Sequence, residues 1–147
     1  MSVIDVAISQ VGTKSKGNNN KYNTDFYGHM VNGDAYPWCA VFVWWCAKEA
    51  GEDCVPKTAS VSDILRYAKE NGCFEPRGYM PKIGDIFIHQ TKKESHTGFI
   101  VEVDEEKYYT IEGNSDAQVS RKSYHLTNYQ LVGFYTPKYK NPPKEVV

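Results

Sequence analysis

Tyr36-Pro37-Trp38-Cys39-Ala40-Val41-Phe42-Val43-Trp44-Trp45-Cys46-Ala47 is an apolar run preceded by a loop-like stretch and followed by Gly51. Proline is tolerated in the first helical turn and glycine favoured just past the last, so Pro37 and Gly51 bracket a helix of roughly three turns. Apolar around almost its whole circumference, this helix is expected to be buried and to act as the centre of the fold. Cys39 then stands at its N-terminal end. Unpaired N–H groups and the positive end of the helix dipole favour a thiolate there, which makes the sulfur a candidate nucleophile. A lone cysteine in an apolar helix is more often packing, and Cys46, two turns further in, reads as core.

Working outward, Ile4, Ala7, Ile8 and Val11 recur at helical spacing, and Gly12 follows them. They predict a short amphipathic helix over 3–11, with Ser2 as its cap. Residues 13–35 are rich in Gly, Asn, Asp, Lys and Tyr, and predict a long irregular loop that delivers the chain to Cys39 and walls one side of the site. Ser60-Val61-Ser62-Asp63 opens a second helix through Lys69, with Val61, Ile64, Leu65 and Ala68 inward and Asn71-Gly72 as its stop. Beyond it, 85–89, 97–103, 107–111, 118–124 and 130–135 are short, rich in β-branched and aromatic residues, and separated by charged or glycine-containing turns. Helices first and antiparallel strands afterwards is the α+β order.

With 147 residues the chain suits one domain with a proper core. The domain is expected over 1–136, with 137–147 as the start of a Pro-rich linker or tail. A net charge of -1 and the lack of a basic block set nucleic-acid binding aside. No stretch reaches the length of a membrane span, and Met1-Ser2-Val3-Ile4-Asp5 lacks the features of a secretory leader, so synthesis in the cytoplasm without a signal peptide is expected. Cysteines 39, 46, 54 and 73 form no CxxC pair, which argues against a zinc or dithiol motif. A Cys54–Cys73 disulfide would be the less favoured state in a reducing compartment.

A thiolate nucleophile needs a base within reach and a group to orient that base. Of His29, His89, His96 and His125, only His96 acquires a partner from register. A hairpin with a two-residue loop at Glu105-Glu106 sets Asp104 opposite Lys107, so paired positions sum to 211 and His96 falls opposite Ser115, next to Asn114; a one-residue change in loop length would move this by one. Glu112 falls beside Gly98 at the same sheet end, and Glu112 and Asn114, two apart, share a face. A carboxylate and an amide beside a histidine can fix its tautomer. Gly98 is expected to leave room there for the buried helix or a substrate backbone.

Taken together, Pro37-Trp38-Cys39-Ala40-Val41-Phe42-Val43 with Trp45-Cys46, Gly84-Asp85-Ile86, His96-Thr97-Gly98-Phe99-Ile100-Val101, Ile111-Glu112-Gly113-Asn114 and Val132-Gly133-Phe134 resemble the CHAP family. These are the cysteine- and histidine-dependent amidohydrolases/peptidases that cut bacterial peptidoglycan. The resemblance implies a papain-like α+β fold, N-terminal helices packed against a mostly antiparallel sheet. It implies Cys39 as nucleophile, His96 as general base and then acid, and Glu112 with Asn114 as the residues that orient the imidazole. The Cys39 backbone N–H would supply part of the oxyanion hole. Tyr27, Asn32 and Tyr36 are candidates to complete it, Tyr27 slightly favoured, and Trp38 joins them as a candidate substrate contact. Some members bind calcium through an Asp-x-Asp-x-Tyr run, but the corresponding Asn23-Thr24-Asp25-Phe26-Tyr27 has one carboxylate, so no cofactor is assigned and calcium is the one candidate.

The expected activity is cleavage of a peptidoglycan amide, as an N-acetylmuramoyl-L-alanine amidase or a stem or cross-bridge endopeptidase. The expected setting is the catalytic part of a phage endolysin or similar lysin, acting on the wall after release or export. Its partners would be peptidoglycan and a wall-binding domain absent from this chain, with no nucleic acid or membrane, and the domain itself a monomer. The competing readings are a catalytically idle wall-binding module with the same fold, and a papain-like enzyme acting on protein.

Overall fold

The computed structural model describes residues 1–144. Four helices come first: α1 (Val3–Gln10), α2 (Lys21–Tyr27), α3 (Cys39–Glu49) and α4 (Val61–Glu70). Six strands follow: β1 (Phe74–Pro76), β2 (Ile86–Gln90), β3 (Ser95–Val103), β4 (Lys107–Ser115), β5 (Gln118–His125) and β6 (Leu131–Tyr135). They form one sheet in the order β1-β6-β2-β3-β4-β5, with every pairing antiparallel. The α+β expectation therefore holds. Among the described residues no helix is long and apolar enough to cross a membrane.

Helix α3 is buried along most of its length, as its composition demands. Phe42 meets Phe99 of β3 edge-on at 6.4 Å, while Tyr22 of α2 stacks on Trp38 at 5.4 Å and meets Phe42 and Trp45 edge-on. The main core gathers these residues with Val3, Ile4, Val6 and Ala7 of α1, Ile64 and Ala68 of α4, and Ile86, Ile88 and Ile111 of the sheet. A smaller cluster of Phe87, Ile100, Tyr108, Leu131 and Phe134 forms apart from it. Strand alternation explains the division, since Ile86 and Ile88 join one cluster and Phe87 between them the other.

Several expectations are corrected. The segment 13–35 is not wholly irregular, because α2 lies inside it, opened by Asn20 accepting from Asn23 N and closed by Gly28 in left-handed geometry at φ 80. On α1, Ile8 and Val11 are exposed and Val6 is buried instead, which rotates the inward face from the expected one. Strand β1 was not anticipated, and β4 runs on past the expected end at 111 through Glu112-Gly113-Asn114 to Ser115.

The β3–β4 ladder keeps the expected sum of 211 at Glu102↔Tyr109 and Val103↔Tyr108, then drops to 210 at Ile100↔Thr110 and Phe99↔Ile111. A bulge between Ile100 and Glu102 inserts the extra residue. The His96–Ser115 pairing expected from an unbroken register is thereby overturned.

Gly98 does not open space for the helix. A Cβ there would lie 2.8 Å from both the Ile111 carbonyl and the Phe87 ring. It is Gly113 whose added Cβ would meet Phe42 at 2.6 Å and Trp38 at 2.9 Å, so Gly113 is what lets β4 approach α3.

The tail also differs from a free linker. Tyr139 donates to the Gly84 carbonyl, and Pro143 packs where a Cβ on Gly84 would lie. Buried Glu52 accepts from the backbone N–H of Lys140 at 2.7 Å and of Asn141 at 2.9 Å. The packed body therefore continues past 136 to Pro143, while 145–147 of the expected linker lie outside the described residues.

Candidate active site

Helices α1, α2 and α4 each begin with a side-chain cap, from Ser2, Asn20 and Ser60. Trp38, the residue before the first turn of α3, supplies none. The first-turn N–H groups have no intrahelical acceptors, so a helix opening without a cap keeps donors available beside its first residue, which here is Cys39. Cys39 is 6% exposed, and all four cysteines are free. Cys46 is core as expected, its thiol pushed well above the usual range by burial.

His96, second residue of β3, places Nε2 2.6 Å from Oε1 of Glu112. The ring is therefore anchored through Nε2, which leaves Nδ1 as the nitrogen available to a thiol. The Cys39 side chain lies close enough to bear on the ring's proton, without a hydrogen bond of standard geometry between the pair. Burial disfavours a proton on His96. Hydrogen bonds and charge from Cys39 and Glu112 overcome that and push its pKa up to about 10.

Glu112 is 1% exposed. Its other oxygen, Oε2, accepts from Thr110 Oγ1 at 2.6 Å and Tyr124 OH at 2.7 Å. Burial alone would raise its pKa, but the hydrogen bonds from His96, Thr110 and Tyr124 with the His96 charge hold the carboxyl below its ordinary value. Register reasoning reached Glu112 but not Thr110 or Tyr124. Thr110 could have been found from its i, i+2 relation to Glu112 on one strand face. Tyr124 could not, because it pairs with Tyr108 and reaches Glu112 by the length of its ring.

A polar cavity of about 370 Å³ lies against this pair, with His89, Glu94, His96, Glu112, Asn114 and Lys122 among its walls. Asn114 is thus brought beside His96, but in left-handed backbone at φ 60, after a bulge that starts at Glu112. That bulge breaks the alternation expected to put Glu112 and Asn114 on one face. The ring's hydrogen bond goes to Glu112.

Of the expected oxyanion and substrate contacts, Tyr27 and Tyr36 are half-buried and meet edge-on at 5.2 Å. Burial and the neighbouring Tyr36 keep the Tyr27 hydroxyl protonated beyond its ordinary range. Asn32 is exposed and lies against Gly17 in the loop. Trp38 is corrected: it is fully buried against Tyr22 and belongs to the core.

The remaining histidines lie elsewhere in role. His29 is exposed and contacts the Met30 carbonyl, and His125 ends β5 at the surface. His89 is buried with Nε2 2.7 Å from Tyr108 OH, and burial lowers its pKa to about 4. The run aligned with a calcium motif forms part of α2. Its one carboxylate, Asp25, pairs with Lys48, and the Asn23 amide donates to the carbonyls of Asn18 and Tyr36. That donor set does not fit a calcium ion, which needs several converging oxygens.

No curated protein sequence matches this chain. Among solved structures, the crystal structure of Ly7917 superposes with a TM-score of 0.57 at 19% identity, covering 92% of this chain and 60% of that one. The crystal structure of Ly7917 with the hydrolyzing product of MDP gives a TM-score of 0.56 at 18% identity, covering 92% and 61%. This chain therefore spans about 60% of the length of the chain whose fold it shares. The CHAP domain model matches residues 31–114, which run from the loop before α3 through Cys39 and His96 to Glu112 and Asn114, and the chain belongs to the CHAP domain family.

Proposed function

We propose that this domain hydrolyses an amide bond of bacterial peptidoglycan by cysteine nucleophilic catalysis. The observation that carries the reading is the buried Glu112 carboxylate fixed on His96 Nε2, with Cys39, which opens an uncapped helix, bearing on the same ring. Cys39 Sγ attacks the carbonyl carbon, and the oxyanion that forms accepts hydrogen bonds from the first-turn N–H groups of α3. Tyr27 is the favoured second donor. His96 carries the proton, delivers it to the leaving amine, and then takes one from the water that releases the acyl group from sulfur. Glu112 keeps the imidazole in the tautomer and orientation that this requires.

Family membership supports the wall substrate, and the solved structure of Ly7917 with the hydrolyzing product of MDP supports hydrolysis as the shared chemistry. The bond is an amide of the sugar–peptide junction, the stem or the cross-bridge. In this reading the domain is the catalytic part of a modular lysin that works at the wall, with binding supplied by another module. Purified cell walls incubated with the protein should lose turbidity, and Cys39→Ala should reduce that to background. Full lysis by Cys39→Ala would refute the assignment.

A further inference from the structure

Glu112 has two carboxylate oxygens, and only one of them serves His96. We propose that Tyr124 and Thr110 are positioning residues of the hydrolytic site, whose hydroxyls clamp Oε2 of Glu112 so that Oε1 stays on the His96 ring. The proposal rests on the reading of His96 as catalytic base, and it identifies a part of the site on β5, beyond the segment matched to the family.

The geometry leaves Glu112 few alternatives. At 1% exposure it is cut off from bulk solvent, so its charge depends on donors supplied by the protein. Three are present: His96 Nε2 at 2.6 Å, Thr110 Oγ1 at 2.6 Å and Tyr124 OH at 2.7 Å. They come from three adjacent strands, β3, β4 and β5. Two donors on Oε2 fix the plane of the carboxylate, and with it the direction in which Oε1 accepts from the imidazole. Without them, the carboxylate can rotate about its terminal bond and draw the ring off the Cys39 side.

Tyr124 is held for this task by packing that does not need its hydroxyl. Its ring meets His89 edge-on at 4.7 Å and lies 5.5 Å from Tyr108 and 5.8 Å from Phe87. Phenylalanine would keep those contacts and remove only the donor. The other groups whose charge bears on this network are His89 on β2, Tyr108 on β4, Lys122 on β5, and Cys39 on α3, which faces His96.

Two measurements test the proposal. In Tyr124→Phe, kcat on purified walls should fall roughly ten- to a hundredfold, the range for one hydrogen bond to a charged group, with KM little changed. Thr110→Val should do the same, and Thr110→Ser, which keeps the hydroxyl, should recover most of the loss. Independently of substrate, an NMR titration of His96 should show its pKa lower in Tyr124→Phe and Thr110→Val than in the wild type and in Thr110→Ser. A folded Tyr124→Phe with kcat within twofold of wild type and an unmoved His96 titration overturns the proposal. Should Tyr124→Phe fail to fold, the Thr110→Val and Thr110→Ser titrations decide alone, and equal His96 values in the two overturn it. A wild type inactive on walls overturns the hydrolase reading and leaves the clamp to be judged by the titration.

Discussion

His89 and His96 stand opposite each other in the β2–β3 ladder, yet the protein holds their protons with opposite strength. His96 takes a proton more tightly than a free imidazole because Cys39 and Glu112 outweigh its burial. Its contribution to stability is therefore complete below pH 6.5 and is lost as pH rises to about 10. His89 is buried neutral. Its contribution is complete above pH 6.5 and is lost as pH falls towards about 4, where it must charge inside the fold. Melting temperatures across this span should decline on both sides of pH 6.5. Glu112→Gln should flatten the alkaline decline, and His89→Gln the acidic one. Slopes unchanged in both variants would show that other groups control the pH response.

Elements were legible where their own periodicity decided them. Helix α3 announced itself because Val41, Phe42, Val43, Trp45 and Cys46 can only be satisfied inside, and β2 to β6 because β-branched and aromatic runs alternate with turns. Helix α2 was hidden because its two core contacts, Tyr22 and Phe26, sit among Asn, Lys and Asp, and because buried Asn23 serves backbone carbonyls instead of a side-chain core. Strand β1 was hidden because an edge strand of Phe-Glu-Pro has no alternation to read. The bulges in the β3–β4 and β4–β5 ladders have no sequence signature of their own, and each shifts a partner by one, which is why Glu112 was placed rightly near His96 while Ser115 and Asn114 were placed too regularly.

The same packing makes Gly113 the point where β4 and α3 meet. Gly113→Ala would force Phe42 and Trp38 away by several tenths of an ångström, so it should cost about 1–3 kcal/mol in urea unfolding. It should also slow wall lysis in the folded fraction, since the strand carries Glu112 and the helix Cys39. Unchanged stability would mean that strand and helix are not in rigid contact there.

At the scale of the molecule, the C-terminal segment packs on the domain as far as Pro143. Composition suggested a linker because three prolines and several lysines have little to bury, but Tyr139 and Pro143 dock on Gly84 and the chain between them is clasped by Glu52. Glu52→Ala should cost about 1–3 kcal/mol, the range for hydrogen bonds to a charged acceptor. The lytic rate of the folded protein should stay unchanged, because the clasp lies outside the Cys39–His96–Glu112 set. A change in rate without a change in stability would place the clasp in the catalytic machinery instead.

The whole architecture serves to hold an uncapped, buried helix against a sheet whose β3 and β4 carry the imidazole and its carboxylate. The most direct test is the mass of the fragments released from walls of known cross-bridge type. The wild type should release pieces whose masses show hydrolysis of one defined amide, with nothing released by Cys39→Ala. Intact amides and newly exposed reducing sugars, or equal release by Cys39→Ala, would contradict the account.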